Sequence, residues 1–333
     1  MSTETTGTVT TTEAPTPPEP ERASIDPHQT RRAWLLLTPT LVTLAVVIGY
    51  PVVRAIWMSF QSDETIDPQT GLFVEGGFAG FENYTHWLLQ QCGGQACPPG
   101  TNAASFWDTV AITLGFTVVT VAIELVLGFW FAIIMNGTFR GRGLVRAAVL
   151  IPWAIPTAVT AKLWYFIFAF NGIANSLLGT QIVWFSDKWA ARTAIVVSDV
   201  WKTTPFMALL ILAGLQLIGS DVQEAAKVDG ASAWQRFWHI TLPLVKPAVI
   251  VALLFRTLDV LRIFDLPYIM TAGGAGDGND TTTLSILVVN EIRSGFNSAA
   301  ALSTLTFLLI FLVAFLFIKM LGADMYADER GKR

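Results

Sequence analysis

FWDTVAITLGFTVVTVAIELVLGFWFAIIMN, residues Phe106–Asn136, carries only two charges, Asp108 and Glu124, in an otherwise apolar run. About 20 mainly apolar residues in a helix cross the hydrocarbon core of a bilayer, so this stretch predicts a membrane span. Upstream, one comparable window covers Ala33–Phe60. Downstream there are four more, at Leu144–Phe170, Ala191–Ile218, Leu244–Met270 and Ala299–Leu321. The prediction is an all-α integral membrane protein with six transmembrane helices. Pro51, Pro152, Pro156, Pro205 and Pro267 fall inside these windows. Prolines are tolerated in membrane helices because neighbouring groups satisfy the freed carbonyls.

Composition agrees with this reading. The chain is 53% hydrophobic and 14% charged, with a mean hydropathy of +0.53, whereas soluble domains are about 25% charged. Twelve Trp and 22 Phe add rings suited to membrane interfaces. No long basic block exists, which argues against a nucleic-acid partner. The first thirty residues differ, being rich in Thr, Pro and Glu with few large apolar side chains. Such a segment buries too little surface to offset its ordering entropy and is expected to be a disordered cytoplasmic tail over residues 1–30.

Lys and Arg set the direction of the spans. Arg31 and Arg32 precede the first window, Arg140, Arg142 and Arg146 sit between the second and third, and Lys227, Arg236 and Lys246 fall between the fourth and fifth. Arg330, Lys332 and Arg333 end the chain, while no Lys or Arg occurs from Ala55 to Phe139. Both termini are therefore expected in the cytoplasm, with an outer loop at 61–105, a cytoplasmic loop at 219–243 and a short cytoplasmic tail at 324–333. Cys92 and Cys97, in CGGQACPPG, then lie on the outer side. There an oxidising compartment favours a small disulfide loop over two free thiols. No further Cys or His cluster suggests a metal site.

The inner loop reads EAAKVDGASAWQRFWHITLPLVKP from Glu224 to Pro247. The preceding Ser220 or Asp221 can cap a short helix with acids in its first turn, and Gly230 can end it. Trp234, Phe237 and Trp238 suit a helix along the membrane interface, which Pro243 is expected to break before the next span. As a bare surface hairpin this loop could serve any function. Its anchors are more specific: Glu224-Ala225-Ala226, Gly230 after three intervening residues, then Ile240 and Leu242-Pro243. This arrangement, with Asp229-Gly230-Ala231 and Pro247, resembles the cytoplasmic "EAA" loop of binding-protein-dependent ABC importer permeases.

FENYTHWL (Phe81–Leu88), WKTTPFMALLILAGLQLI (Trp201–Ile218) and LFRTLDVLRIFDLPYIMTAGG (Leu254–Gly274) extend the resemblance to the maltose/trehalose-type, MalF-like branch. It covers most of the chain from Arg31 to Leu321 and departs at TAGGAGDGND, where relatives often read TGGGP. The resemblance implies a type I ABC importer permease fold and a membrane domain over 31–323. It also implies a coupling helix in which Glu224, Ala225, Ala226, Asp229, Gly230 and Ala231 meet a separate ATPase. The small Ala225 and Ala226 would permit close approach, and Glu224 would meet a basic residue. The implied partners are a second permease subunit, an ATP-binding subunit dimer that holds ATP and Mg, and an extracellular sugar-binding lipoprotein. No cofactor is expected in this chain, whose cargo would be a trehalose- or maltose-like disaccharide.

Ionisable residues inside spans are functional candidates. Arg256, Asp259, Arg262 and Asp265 recur every three residues in the fifth window and can either neutralise one another along the helix or line a pathway. Asp265, flanked by Phe264 and Tyr268, offers a carboxylate beside ring faces, a combination suited to sugar hydroxyls. Trp201 can stack on a sugar or anchor at the interface. Asp199 and Lys202 can pair with each other, and Glu124 is expected to meet a polar group on another helix. An ion-gradient-driven secondary transporter is the alternative reading, although no two-fold internal repeat is visible. His28, His86 and His239 are scattered, and neither a catalytic motif nor a P-loop is present, so no enzymatic site is expected in this chain.

Overall fold

The computed structural model of the protein describes residues 27–66, 71–276 and 278–330. Most of the tail expected at 1–30 lies outside these residues, and helix begins at Pro27. Among the described residues, five helices are long and apolar enough to cross a membrane, or six if one sharply bent pair is a single span. They are Trp34–Met58, Phe106–Asn136, the pair Arg142–Ala154 and Thr157–Ile167, Lys188–Gln216, Ala233–Val260 and Phe296–Lys319. The last continues as helix to Arg330, through much of the tail expected at 324–333.

The chain divides at Val53 into two compact units. In the shorter one, helix Pro27–Leu44 passes through a π turn, Ala45–Gly49, into the helix that starts at Tyr50. The N–H of Tyr50 reaches back to the Ala45 carbonyl, five residues away, directly before Pro51. The same device recurs at Phe237–Thr241, where the N–H of Leu242 bonds the Phe237 carbonyl directly before Pro243. A π turn changes which carbonyls need donors at the place where proline supplies none. Pro243 therefore does not break the helix as expected, and Ala233–Val260 is one continuous stretch of 28 residues.

The expected third span, Leu144–Phe170, is instead bent by 92° between Ala154 and Thr157. Ile155 is extended, with ψ 132°, as the residue before a proline tends to be. The expected fifth span also stops early, at Val260. Asp265 thus lies beyond it, in the first turn of the separate helix Asp265–Thr271. Pro267 cannot donate to the Ile263 carbonyl, and the Thr283 hydroxyl donates to it instead at 2.8 Å.

Small residues let the membrane helices close on one another. At Gly128 a Cβ would stand 2.8 Å from Met207 Cγ and 3.3 Å from the Ala208 backbone nitrogen. At Gly214 it would stand 2.4 Å from Ala248 Cβ and 2.8 Å from Val245 Cγ2. These contacts bring Phe106–Asn136 against Lys188–Gln216, and the latter against Ala233–Val260. Ala132, Met135, Met207, Ala208, Ile211, Val245 and Ala252 fill the shared core.

The segment following the first span is pinned to the start of the last. Asp63 accepts from the backbone N–H groups of Asn297 (2.6 Å) and Ser298 (2.9 Å), capping helix Phe296–Arg330 from a remote loop. Trp87, fully buried on the short helix Glu82–Leu88, donates its indole N–H to the Ser298 carbonyl at 3.1 Å. Cys92 and Cys97 form a disulfide across the hairpin of Gln91–Cys92 and Gln95–Ala96. With both sulfurs bonded to each other, the neighbouring His86 has no thiolate beside it to share a metal.

Candidate functional site: a short connecting helix and a charged cavity

Two places gather the residues singled out above. The first is the helix Ser220–Val228, which links the fourth span to the fifth. Its N-cap is Gly219, without a side-chain cap, rather than Ser220 or Asp221. Asp221 is in the first turn, where the helix dipole favours a carboxylate. The C-terminus has Schellman geometry: Gly230 N–H bonds the Lys227 carbonyl (3.1 Å) and Ala231 N–H the Ala226 carbonyl (2.9 Å). Gly230 sits at φ +79°, the left-handed conformation that this ending requires.

Arg236 donates to the Ala231 carbonyl at 3.0 Å, and Gln223 to Thr241 Oγ1 at 3.1 Å, so the helix is tied to the base of the fifth span. A capping box between Ser232 and Gln235 starts that span. Glu224, Ala225, Asp229 and Gly230 are exposed. Ala226 is not: it is buried within the chain, so only Ala225 of the expected small pair is available to a partner. Val228 at the end of this helix and Leu217 at the end of the preceding span are each 87% exposed.

The second place is a cavity of about 160 Å³ inside the helical region. Its wall takes Asp199, Lys202 and Thr203 from the fourth span, Arg256 and Asp259 from the end of the fifth, and Arg262 from just beyond it. Thr157, just past the bend in the third span, and Ile263–Leu266, at the second helix break, complete it. The cavity therefore lies where two helices are interrupted, and irregular backbone is tolerated at membrane depth where it lines a cavity.

Arg256 is 2% exposed and holds three carboxylates on three spans. Glu124, fully buried, receives Nε at 2.5 Å and Nη2 at 2.9 Å, a fork-to-fork ion pair. Asp199 and Asp259 each bind the same guanidinium through Oδ2. Thr203 adds a hydroxyl to Glu124 at 2.5 Å. The polar partner expected for Glu124 is thus Arg256, 132 positions away, together with Thr203. Asp199 takes Arg256 as its ion-pair partner, while Lys202 donates at 2.7 Å to the Ile155 carbonyl, which the bend in the third span leaves open.

The local pairing expected along the fifth window occurs between Arg256 and Asp259. It does not extend to Arg262 and Asp265, which the break at 261–264 separates; Arg262 instead donates to the Leu258 carbonyl at 3.2 Å. Phe264 and Asp265 line the cavity. Tyr268 stacks behind Phe264 with centroids 4.9 Å apart, and Trp201 packs edge-on against Trp164 at 5.6 Å. Neither of these two rings is on the cavity wall.

Residues 124–325 match the family described as the binding-protein-dependent transport system inner membrane component. The chain is 41% identical over 299 residues to the trehalose/maltose transport system permease protein MalF of Thermococcus litoralis, spanning 88% of this chain and 94% of that one. It is 39% identical over 306 residues to the trehalose transport system permease protein SugA of Mycobacterium tuberculosis, at 91% and 92% coverage. In fold it is similar to a chain of a bacterial ABC transporter that imports the acidic polysaccharide alginate. That match has a TM-score of 0.71 at 20% identity, covering 89% of this chain and 98% of that one.

Proposed function

The chain belongs to the binding-protein-dependent ABC importer permeases, and from that membership we propose that it carries a trehalose- or maltose-like disaccharide inward. It is a multi-pass membrane subunit, and the ion-gradient alternative gives way to this family assignment. We propose further that both termini are cytoplasmic and that the disulfide loop is outside. The arrangement of Lys and Arg supports that orientation.

In this reading a second permease subunit completes the pathway, an extracellular binding protein delivers the sugar, and two copies of a separate ATPase bind ATP and Mg. ATP-driven closure of the ATPases displaces the helix Ser220–Val228, and the spans follow. Phe264 and Asp265 offer a ring and a free carboxylate to sugar hydroxyls at the cavity. Tyr268 and Trp201 contribute behind that wall rather than on it.

The observation that carries the proposal is the exposed inner helix, presenting Glu224 and Ala225 and closed by the Gly230 turn. Reversing a charge at a desolvated contact costs about 2–5 kcal/mol. Glu224→Lys and Gly230→Pro should therefore lower co-purification of the ATPase and abolish uptake of labelled disaccharide, with normal membrane levels of the subunit. Wild-type uptake and co-purification by both variants would remove the coupling role.

A further inference from the structure

We propose that Glu124, which does not line the cavity, is a specificity-determining residue that keeps the pathway selective for uncharged polyhydroxy cargo. The inference rests on the sugar-import reading and concerns the charge class of the sugar. Among relatives of this fold that class is variable, since one of them imports an acidic polysaccharide.

An anionic sugar would need a cation with N–H groups to spare, and the cavity has three candidates: Lys202, Arg256 and Arg262. Arg256 commits its Nε, Nη1 and Nη2 to three carboxylates. Lys202 gives one of its three N–H groups to the Ile155 carbonyl at 2.7 Å and has the acids Asp199 and Asp259 as its charged neighbours. Among the described residues Arg262 keeps N–H groups without a partner, but Asp259 and Asp265 flank it in sequence and share its wall. The three acids and three bases on the wall cancel formally, so Glu124 tips the group to a net negative charge from behind.

The wall also carries unused acceptors. Asp199 and Asp259 each meet Arg256 through Oδ2, and their Oδ1 atoms make no hydrogen bond among the described residues. Such oxygens accept hydroxyl donors of a neutral polyol and repel a carboxylate or phosphate. Glu124 adds to this by taking the Nε and Nη2 groups of Arg256, donors that an anion would otherwise use. Without that charge, Arg256 has one carboxylate fewer to satisfy, and the net charge around the cavity rises by one unit.

The test uses the assembled importer, permease pair plus ATPases, in detergent without its binding protein, so that selection upstream cannot mask the site. Saturation-transfer NMR would compare trehalose with the uronate made by oxidising one of its two primary hydroxyls to a carboxylate. The parent should favour trehalose by on the order of tenfold, as one unbalanced charge at close range implies. Glu124→Gln should reduce that preference severalfold through a gain of uronate binding. Glu124→Asp, which keeps the charge, should retain it.

If Glu124→Gln does not assemble, Asp259→Asn removes the same unit charge from a side chain that is 65% exposed, and should shift the preference in the same direction. Equal binding of both sugars by the parent would overturn the inference and leave sugar import standing. An unchanged preference in whichever neutralised variant assembles would also overturn it. Binding of neither sugar by the parent would sink the sugar reading and the inference with it.

Discussion

Arg256 concentrates three acids on one buried guanidinium, and removing one partner of such an arrangement is far more damaging than removing all of them. Arg256→Met keeps the apolar stem and strands Glu124 and Asp199 unpaired, at a cost of about 3–5 kcal/mol. The purified subunit should show a lower melting temperature and a reduced membrane level. The triple variant Glu124→Gln, Asp199→Asn, Arg256→Met should recover much of that loss. A single Arg256→Met variant as stable as the parent would refute this role. Each of these charges is conspicuous in the sequence because it interrupts an apolar window. Their pairing is not, because a single sequence gives no sign that positions 124, 199 and 256 meet. The regular spacing of 256, 259, 262 and 265 points to pairing along one helix, and only its first step is realised.

Among the helices, the tightest fit is between Gly214 and Ala248, where an added methyl has no space. Gly214→Ala should destabilise by about 1–3 kcal/mol through overpacking, and Ala248→Gly on the facing helix should restore most of it. Thermal unfolding of the detergent-solubilised subunit would check both, and absence of rescue would place the strain elsewhere. Hydropathy made all six apolar windows legible, because length and polarity alone set a span. Helix breaks are less legible. Pro152, Pro205, Pro243 and Pro247 sit in helices that continue, whereas Pro156 marks a bend of 92°. What separates them is backbone geometry and one remote contact: a π turn relieves Pro243, and Lys202 is placed to meet the open carbonyl before Pro156.

For the whole molecule, orientation is the property most open to direct measurement. A cysteine at Ser232, in a background lacking Cys92 and Cys97, should react with a membrane-impermeant maleimide in inverted vesicles and not in intact cells. Labelling from outside would reverse the topology. Mass spectrometry of unreduced membranes should recover Cys92 and Cys97 in one cross-linked peptide, and free thiols at both positions would contradict the bond. The inner loop was readable as a short helix with a glycine stop because capping chemistry is local. The cavity was not, since its wall comes from chain segments more than a hundred residues apart.

The continuity of Ala233–Val260 has a mechanical consequence. At about 1.5 Å per residue, its 28 residues form a rod of about 42 Å. One end carries the Ser232–Gln235 cap beside the inner helix, and the other carries Arg256 and Asp259 at the cavity. A hinge along this rod would absorb motion, but its prolines are accommodated without one. A rod of this length is a lever arm: tilting it by about 5° about its Val260 end sweeps the Ala233 end through about 4 Å. Under the proposed coupling, a displacement of several ångströms at the Ala233 end would arrive at the cavity as a small rotation of Arg256 and Asp259. That would be a reduction gear, trading distance for force where the buried ion pairs turn.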